Sequence, residues 1–368
     1  MPEKKGRQGR HPERVVGHVT PTTLKDVAAY AGVSTATVSL VLNQASGAES
    51  ISAQTHERVL AAARELAYRP NLLARSLRSR RTSSIGVLVP QISEGYATGV
   101  LGGVENHLLQ EGFFYLLASH RFRSDLIVEN LELLKDRLVE GLILVNTRLS
   151  AAPGLPTVSI SGHQQIPGIV RVIIDHDRAA SLALVHLAEL GHREIAVMKG
   201  HPFSADSEVR WRAIERAANE LDLVIPKQLT LPIGEAPVGR GLSPEMHYRE
   251  GYDYGKRLLA TSRDFSAFFA FNDISAIGAM KAFSDAGLRV PEDISVIGFD
   301  DIEIAAFHNP GLTTVRQPLH EMGETASRLL LDWLAGARPD SAVVTVEPDL
   351  IVRSSTGPAR LRSLSSCT

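Results

Sequence analysis

The stretch TLKDVAAYAGVSTATVSLVLN, residues 23–43, decides the fold of the N-terminal part of the chain. Thr23, followed three residues later by Asp26, predicts a capping box at the start of a helix. Apolar residues then recur at helical spacing as far as Gly32, which can adopt the positive φ that ends a helix. Ser34 can cap a second helix. Two short helices joined by a glycine-containing turn predict a helix-turn-helix.

A third helix should complete this small bundle, with Ser52 as its cap. Its predicted apolar stripe is Val59, Leu60, Ala63, Leu66 and Ala67. The alternative is a helical hairpin packed within a larger core. In a helix-turn-helix the exposed start of the second helix faces the DNA, here with Thr35, Ala36, Thr37, Ser39 and Leu40. Their small hydroxyl and methyl groups suit close approach to base edges in a major groove.

Composition and charge narrow the class of protein. The chain has 368 residues, 44% of them hydrophobic and 22% charged, as expected of a soluble protein with more than one folding unit. Residues 1–81 carry 13 Lys and Arg against 6 Asp and Glu, whereas the whole chain has a net charge of −2. A basic end on an acidic body favours a polyanionic partner, although a solvated tail would show the same charge.

The single cysteine, Cys367, fits a reducing compartment. The sequence also shows no signal peptide and no apolar run of about 18 residues. We therefore expect a cytoplasmic protein without a membrane segment, a metal site or a cofactor.

From Ser84 onward, short apolar runs alternate with helical segments, which predicts an α/β body with parallel sheets covered by helices on both faces. The predicted strands are IGVLV, FYLLA, GLILV, TVSI, VRVII, EIAVM, AFFAF and ISVIGF. The predicted helices span residues 100–111, 177–190, 210–221 and 274–286.

The opening stretch, together with AYRPNLLARSLRSRRTSSIGVLVP, resembles the headpiece and hinge of the lac repressor/gal repressor family. The resemblance continues through LGHREIAVMKG, FAFNDISAIGAM, GLRVPEDISVIGFDD and NPGLTTVRQP, and it covers residues 22–353. It implies a Rossmann-like body of two lobes, similar to periplasmic binding proteins, with a small ligand between them. The expected divisions are a disordered N-terminal extension (1–21), a DNA-binding domain (22–69), a hinge (70–83), an effector and dimerisation domain (84–353) and a disordered tail (354–368).

The hinge combines leucines with arginines. In the family the matching segment forms paired helices in the minor groove, and a leucine at the position of Leu77 is wedged between base pairs, which has a general physical rationale. The alternative is a flexible basic linker. With the headpiece, the implied DNA-contacting residues are Thr23, Ser34, Thr35, Ala36, Thr37, Ser39, Leu40, Asn43, Asn71, Leu77 and Arg78.

Five residues stand where relatives contact their effectors. Tyr96 is expected in the loop after IGVLVP, Arg210 at the start of a helix, and Asn272, Asp273 and Asp300 at the ends of strands. For each, the alternative is a helix cap or a polar group that closes a turn. The chain also departs from the family pattern. Ala97 stands where relatives often have an aromatic residue, Ser161 where many have an acidic one, and the loop at 234–250 is long. Leu40 is apolar at a recognition position where relatives often have a polar residue that hydrogen-bonds a base.

No catalytic constellation was found, so we do not expect an enzyme. The sequence predicts a homodimeric repressor that binds a pseudo-palindromic double-stranded DNA operator and responds to a small molecule, with a sugar favoured over purines and other metabolites. Two alternatives stay open: a corepressor-dependent regulator of the same fold, and a sugar-binding protein that does not bind DNA.

Overall fold

The computed structural model describes residues 22–43, 48–68, 81–92, 95–232, 244–262, 264–339 and 342–360. The chain divides into two compact units, Met1–Arg81 and Thr82–Thr368. The first unit contains the headpiece and the second contains the α/β body. No helix within the described ranges is long and apolar enough to cross a bilayer.

The headpiece is a bundle of three helices. These are α1 (Leu24–Ala31), α2 (Thr35–Leu42) and α3 (Ala53–Glu65), with a 3₁₀ turn at Ala48–Ser50. The predicted capping box between Thr23 and Asp26 is present, and Gly32 ends α1 with a φ of 65°. The buried side chains of the headpiece core are small, namely Val27, Ala28, Ala31, Val38, Val41, Val59 and Ala62. Small side chains allow the short helices to cross closely.

The predicted apolar stripe of α3 was wrong at two positions. Leu60 is exposed, and Ala62 is buried in its place. Successive helical residues are rotated by about 100°, so Val59 and Leu60 cannot both face one core. Ala67 lies beyond the end of α3, where it is exposed and has a φ of 45°.

The body consists of two lobes, each built on a six-stranded sheet. The N-lobe sheet has the order β11-β5-β4-β3-β1-β2 and is parallel throughout. The C-lobe sheet has the order β12-β10-β9-β8-β6-β7, and only β12 runs antiparallel to its neighbour. The strands are β1 (Ser84–Val89), β2 (Phe114–Ser119), β3 (Gly141–Val145), β4 (Thr157–Ile160), β5 (Ile169–Ile174), β6 (Ile195–Lys199), β7 (Thr230–Pro232), β8 (Ala267–Phe269), β9 (Ser295–Asp300), β10 (Thr313–Arg316), β11 (Val343–Val346) and β12 (Asp349–Ile351).

Helices cover both sheets. They are α4 (Gly95–Gln110), α5 (Ser124–Asp136), α6 (His176–Glu189), α7 (Ser207–Glu220), α8 (Pro244–Thr261), α9 (Asp273–Asp285), α10 (Glu303–Phe307) and α11 (Leu319–Leu334). The chain crosses between the lobes three times: after β5, after β10 and after β11. Each lobe is therefore assembled from separate stretches of sequence.

All eight predicted strands and all four predicted helices of the body are confirmed, with shifts of a few residues at their ends. Two local expectations were wrong. Tyr96, expected in a loop, lies in the first turn of α4. Part of the long loop at 234–250 is helical, because α8 begins at Pro244. Residues 233–243 lie outside the described part of the chain.

The predicted start of a disordered tail at residue 354 was wrong. Ser355 is completely buried, and its backbone and side chain form hydrogen bonds with Val296 and Thr313. Residues 354–360 therefore belong to the C-lobe, and 361–368 lie outside the described residues. At the other end, the amides of Thr82 and Ser83 both donate to Glu140 Oε1, so the last two residues assigned to the hinge are bound to the body.

One helix crossing in the N-lobe depends on glycine. A Cβ on Gly103 of α4 would lie 1.9 Å from the carbonyl oxygen of His320 on α11, and a Cβ on Gly323 would lie 2.1 Å from that of Val100. Real Cβ atoms do not approach a backbone oxygen so closely. The backbones of α4 and α11 are thus in direct contact through these two glycines.

Candidate nucleic-acid interface and effector cleft

The start of α2 presents short side chains to solvent. Ser34, Thr35 and Ala36 are exposed, as is Asn43 just after the helix, while Thr37, Ser39 and Leu40 are half-buried. This exposed row carries no charge, so a base edge or a phosphate can approach the helix closely. The helix N-terminus and its free amides favour a phosphate.

Three of the predicted DNA-contacting residues also hold the headpiece together. Thr23 and Ser34 accept hydrogen bonds from the amides of Asp26 and Thr37, at 3.4 and 3.1 Å. Asn43 Nδ2 donates to the carbonyl oxygen of Ser39 at 2.8 Å. Their positions therefore have a structural explanation alongside the functional one. Asn71, Leu77 and Arg78 lie outside the described residues.

In the body, strand ends from both lobes meet. Asn146 follows β3, Ser161 follows β4 and Asp300 ends β9, and these residues have φ values of 43°, 64° and 113°. Side-chain-bearing residues rarely adopt this backbone conformation, and such strain is concentrated at functional sites. In open parallel sheets, ligands bind beyond the carboxyl ends of the strands. These residues therefore mark the cleft.

The five predicted effector residues are all buried, with exposed fractions of 9% or less. Tyr96 lies in the N-lobe, and its hydroxyl is 2.6 Å from Ser161 Oγ. Burial, followed by the charge of Asp206, raises the pKa of Tyr96, so the phenol stays protonated. Ser161 thus uses its hydroxyl to bond a neighbour in the same lobe.

Arg210, on α7, is held between aromatic rings of the C-lobe. Its guanidinium carbon lies 3.6 Å from the ring centre of Phe299 and 4.5 Å from that of Phe271, and Nη1 donates to the carbonyl oxygen of Phe271 at 2.7 Å. Burial lowers the pKa of Arg210, and the nearby Asp300 carboxylate opposes this change. Among the described residues, Arg210 Nε has no hydrogen-bond partner.

Asp300 accepts a hydrogen bond from Gln317 Nε2 at 2.6 Å, across the crossover that leaves β10. Gln317 Oε1 is buried and has no hydrogen-bond partner in the described ranges. A donor on Arg210 and an acceptor on Gln317 are therefore both available to a ligand.

The remaining two predicted residues have structural partners. Asn272 caps α9 by accepting a hydrogen bond from the Ser275 amide at 2.9 Å. Both carboxylate oxygens of Asp273 are also engaged, by Thr314 Oγ1 at 2.5 Å and by the Ile302 amide at 2.9 Å. Burial and the charge of Asp300 raise the pKa of Asp273 well above its ordinary value.

The loop before α7 bonds the C-lobe to the N-lobe. Asn146 Oδ1 accepts from the Ala205 amide at 2.8 Å, and Arg148 Nη2 donates to the carbonyl oxygen of Ser204 at 2.9 Å. The Gly162 amide donates to Asp206 Oδ1 at 2.9 Å. A cavity of about 210 Å³ next to these contacts is lined by Ser161, Gly162 and Ala205, but by none of the five predicted residues.

Sequence reasoning missed a polar cluster in this cleft. Asp206 lies close to His163, which follows β4, and to His176, the first residue of α6. The three are distant in sequence, so no spacing motif reveals them. The only available signal was local: His176 immediately precedes a predicted helix, and His163 and Asp206 lie within four residues of a predicted strand or helix.

Comparison with known proteins gives concordant matches to each unit. Residues 23–71 match the family described as bacterial regulatory proteins, lacI family, and residues 184–356 match a periplasmic binding protein-like domain. The HTH-type transcriptional repressor PurR of Haemophilus influenzae is 32% identical over 348 residues, covering 90% of this chain and 98% of that protein.

Solved structures agree. A lac repressor dimer bound to operator and the anti-inducer ONPF is 28% identical, with a TM-score of 0.81, and the match covers 92% of this chain and 99% of that one. The transcriptional regulator CelR in complex with cellobiose is also 28% identical, with a TM-score of 0.66 and coverage of 91% and 99%. PurR of Haemophilus influenzae is matched at 32% identity along nearly its whole length. The chain therefore belongs to the lacI family of bacterial regulatory proteins and is a DNA-binding regulator rather than an enzyme.

Proposed function

We propose that the protein is a cytoplasmic, homodimeric repressor that binds a pseudo-palindromic operator and is controlled by a sugar or sugar derivative bound between its lobes. The observation that carries the proposal is the capped headpiece, whose second helix presents an exposed row of short side chains. Two headpieces related by a two-fold axis would read the two halves of such a site.

The effector part of the proposal rests on the partnerless polar atoms of the cleft. Arg210 Nε can donate and Gln317 Oε1 can accept, and a sugar hydroxyl can satisfy either atom. The Phe299 ring lies against the Arg210 guanidinium and holds it in place. Because Arg210 and Asp300 are buried, the lobes must separate to admit the ligand, and closure around it would change their relative orientation. CelR, which is similar to this chain, was solved with cellobiose.

Exposed apolar residues support the homodimer. Phe114 on the N-lobe edge strand β2 is 68% exposed, and Phe307 at the end of α10 is 77% exposed. Near Phe307 lies a surface groove of about 740 Å³, lined in part by Tyr248, Tyr252 and Ile277. Exposed apolar surface of this kind commonly marks an interface. The related lac repressor structure is a dimer.

The hinge is assigned from the sequence. Leu77 would enter the minor groove between the two half-sites, and the arginines around it would contact phosphates. Because several arginines would contact phosphates, the affinity for DNA should depend strongly on salt concentration.

The test is to incubate the purified full chain with fragments of its own genome at near-physiological salt and to sequence those it retains. We expect enrichment of one palindromic motif, and the flanking genes would nominate the effector. A Leu77→Ala variant should bind the same motif more weakly while keeping its non-specific affinity. Equal losses of specific and non-specific binding would contradict the wedge.

A second arm adds metabolite extract. Release of bound fragments indicates an inducer, whereas enrichment that requires the extract indicates a corepressor. No enriched motif under either condition would overturn the proposed function.

A further inference from the structure

Two histidines and an aspartate from distant parts of the sequence meet between the lobes. His163 follows β4, His176 begins α6, and Asp206 precedes α7. One ligand atom from each residue lies within 4.8 Å of the other two. The Asp206 carboxylate oxygens are 3.7 Å from His163 Nε2 and 3.6 Å from His176 Nε2, too far for good hydrogen bonds.

Three of the four imidazole nitrogens in this cluster lack a hydrogen-bond partner in the described part of the chain. Both ring nitrogens of His176 and Nε2 of His163 are buried without a hydrogen-bond partner among the described residues. His176 itself is only 3% exposed. Buried polar atoms are almost always satisfied, so the two Nε2 atoms that lie beside one carboxylate without a hydrogen bond indicate a bound group.

We propose that His163, His176 and Asp206 bind one divalent transition-metal ion, for which zinc is the best fit. Imidazole nitrogen and carboxylate oxygen are both common zinc ligands. In a tetrahedral zinc site with bonds of about 2.0–2.1 Å the ligand atoms are roughly 3.4 Å apart. The two separations between Asp206 and the imidazoles, 3.7 and 3.6 Å, are close to this value, and the two histidines, within 4.8 Å of each other, would draw together on binding. The Gly162 amide already orients Asp206 through Oδ1, which leaves Oδ2 available. A fourth position remains open to water or to an oxygen of an effector.

The ion would join the lobes. His163 lies in the N-lobe, Asp206 lies in the C-lobe, and His176 lies on the crossover between them. Binding therefore favours the closed arrangement over any arrangement that separates these residues. Through reciprocal linkage, the ion shifts the affinity of the repressor for DNA to the extent that DNA distinguishes the two arrangements.

The test uses the full chain with Cys367→Ser, which removes the only thiol, after exhaustive treatment with chelator. Equilibrium dialysis against Zn²⁺ and Co²⁺ should give one tightly held ion per chain, and Co²⁺ should show the visible absorption of a tetrahedral site. We expect His163→Ala to weaken Zn²⁺ binding by at least about a hundredfold. His107→Ala, a substitution on α4 outside the cluster, is the matched control and should bind like the parent.

Asp206→Asn supplies a second variant, because it keeps the shape and the acceptor for Gly162 while removing the charge. It should also lose most Zn²⁺ affinity, and a thermal melt in chelator shows whether it is folded. Absence of a stoichiometric ion, or equal binding by His163→Ala and His107→Ala, would overturn the metal site. Because ion binding is measured without DNA, that failure would leave the proposed repressor function intact.

Discussion

His120 shows how one side chain of the N-lobe is fixed in a single protonation state. The Phe122 amide donates to its Nδ1 at 3.1 Å, so Nδ1 must be an acceptor. Thr147 donates its own hydroxyl to the Val145 carbonyl, so the hydroxyl accepts from His120 Nε2 at 3.1 Å. Both nitrogens are satisfied only by the neutral ring with its hydrogen on Nε2. Burial lowers the pKa of His120 to about 4.

We therefore expect acid to destabilise the N-lobe through His120. In the unfolded chain His120 takes up a proton at about pH 6.5, whereas in the folded protein it does so only near pH 4. The stabilisation is complete above pH 6.5 and is lost as the pH falls towards 4, by at most about 3 kcal/mol. Denaturant unfolding measured between pH 7.5 and 4.5 should show a smaller pH dependence for His120→Asn than for the parent.

In His120→Asn the free energy of unfolding should still fall with decreasing pH, though less steeply than in the parent, because burial also lowers the pKa of His192 and His186. Equal slopes for His120→Asn and the parent would contradict the assignment of the neutral tautomer.

At the scale of elements, the crossing of α4 and α11 is the most sharply constrained contact of the N-lobe. Gly103 has no room for a methyl group, because the His320 carbonyl oxygen occupies that space. Its neighbour Gly102 does have room, since a Cβ there would meet only the His320 ring, at an ordinary distance of 3.6 Å. The two adjacent glycines thus have different roles in the same helix.

This difference gives a matched pair of variants. Gly103→Ala should force the helices apart and lower the free energy of unfolding by about 2–3 kcal/mol or more. Gly102→Ala should be neutral or stabilising by up to about 1 kcal/mol, because alanine is the better helix former. Thermal melts of the two full-length variants make the comparison. Similar melting temperatures would mean that the backbones are not in contact.

The strands that could be predicted from the sequence were runs of mostly apolar residues. Strand β10 is largely buried but begins with two threonines, and it was not predicted. Strands such as β3 and β9 are continuous apolar runs that are fully buried, and such runs are distinctive. Short edge strands were missed, because β7 and β12 have only three residues and the pattern of β11 is mixed. Pairing of β11 with β5 is a tertiary event that no local pattern encodes.

The residues of the cleft were only partly predictable, because some of them come together only through tertiary contacts. Asp300 and Arg210 could be found because each adjoins a strand or helix that is recognisable in the sequence. Gln317, His163 and His176 become neighbours of the cleft only through the crossovers and the docking of one lobe on the other. Asn272 could equally be a helix cap, and its capping bond became visible only in the structure.

At the scale of the whole molecule, the exposed aromatic residues bear on assembly. If Phe307 lies at the proposed dimer interface, Phe307→Asp should convert the dimer to a monomer and weaken operator binding strongly, because a monomer binds only half of a palindrome. Sedimentation velocity over a range of concentrations measures the change. Val224→Asp is the control, since Val224 is another exposed apolar residue of the C-lobe, beside β6. If Phe307→Asp and Val224→Asp dimerise equally well, Phe307 does not lie at the dimer interface.

The three crossovers between the lobes also constrain how the protein can be made. The N-lobe sheet includes β11 at residues 343–346, and the C-lobe includes residues 354–360. Neither lobe can complete its core while the ribosome is still translating the last tenth of the message. A premature stop before residue 343 would therefore leave both lobes unfinished, and the headpiece alone would be complete.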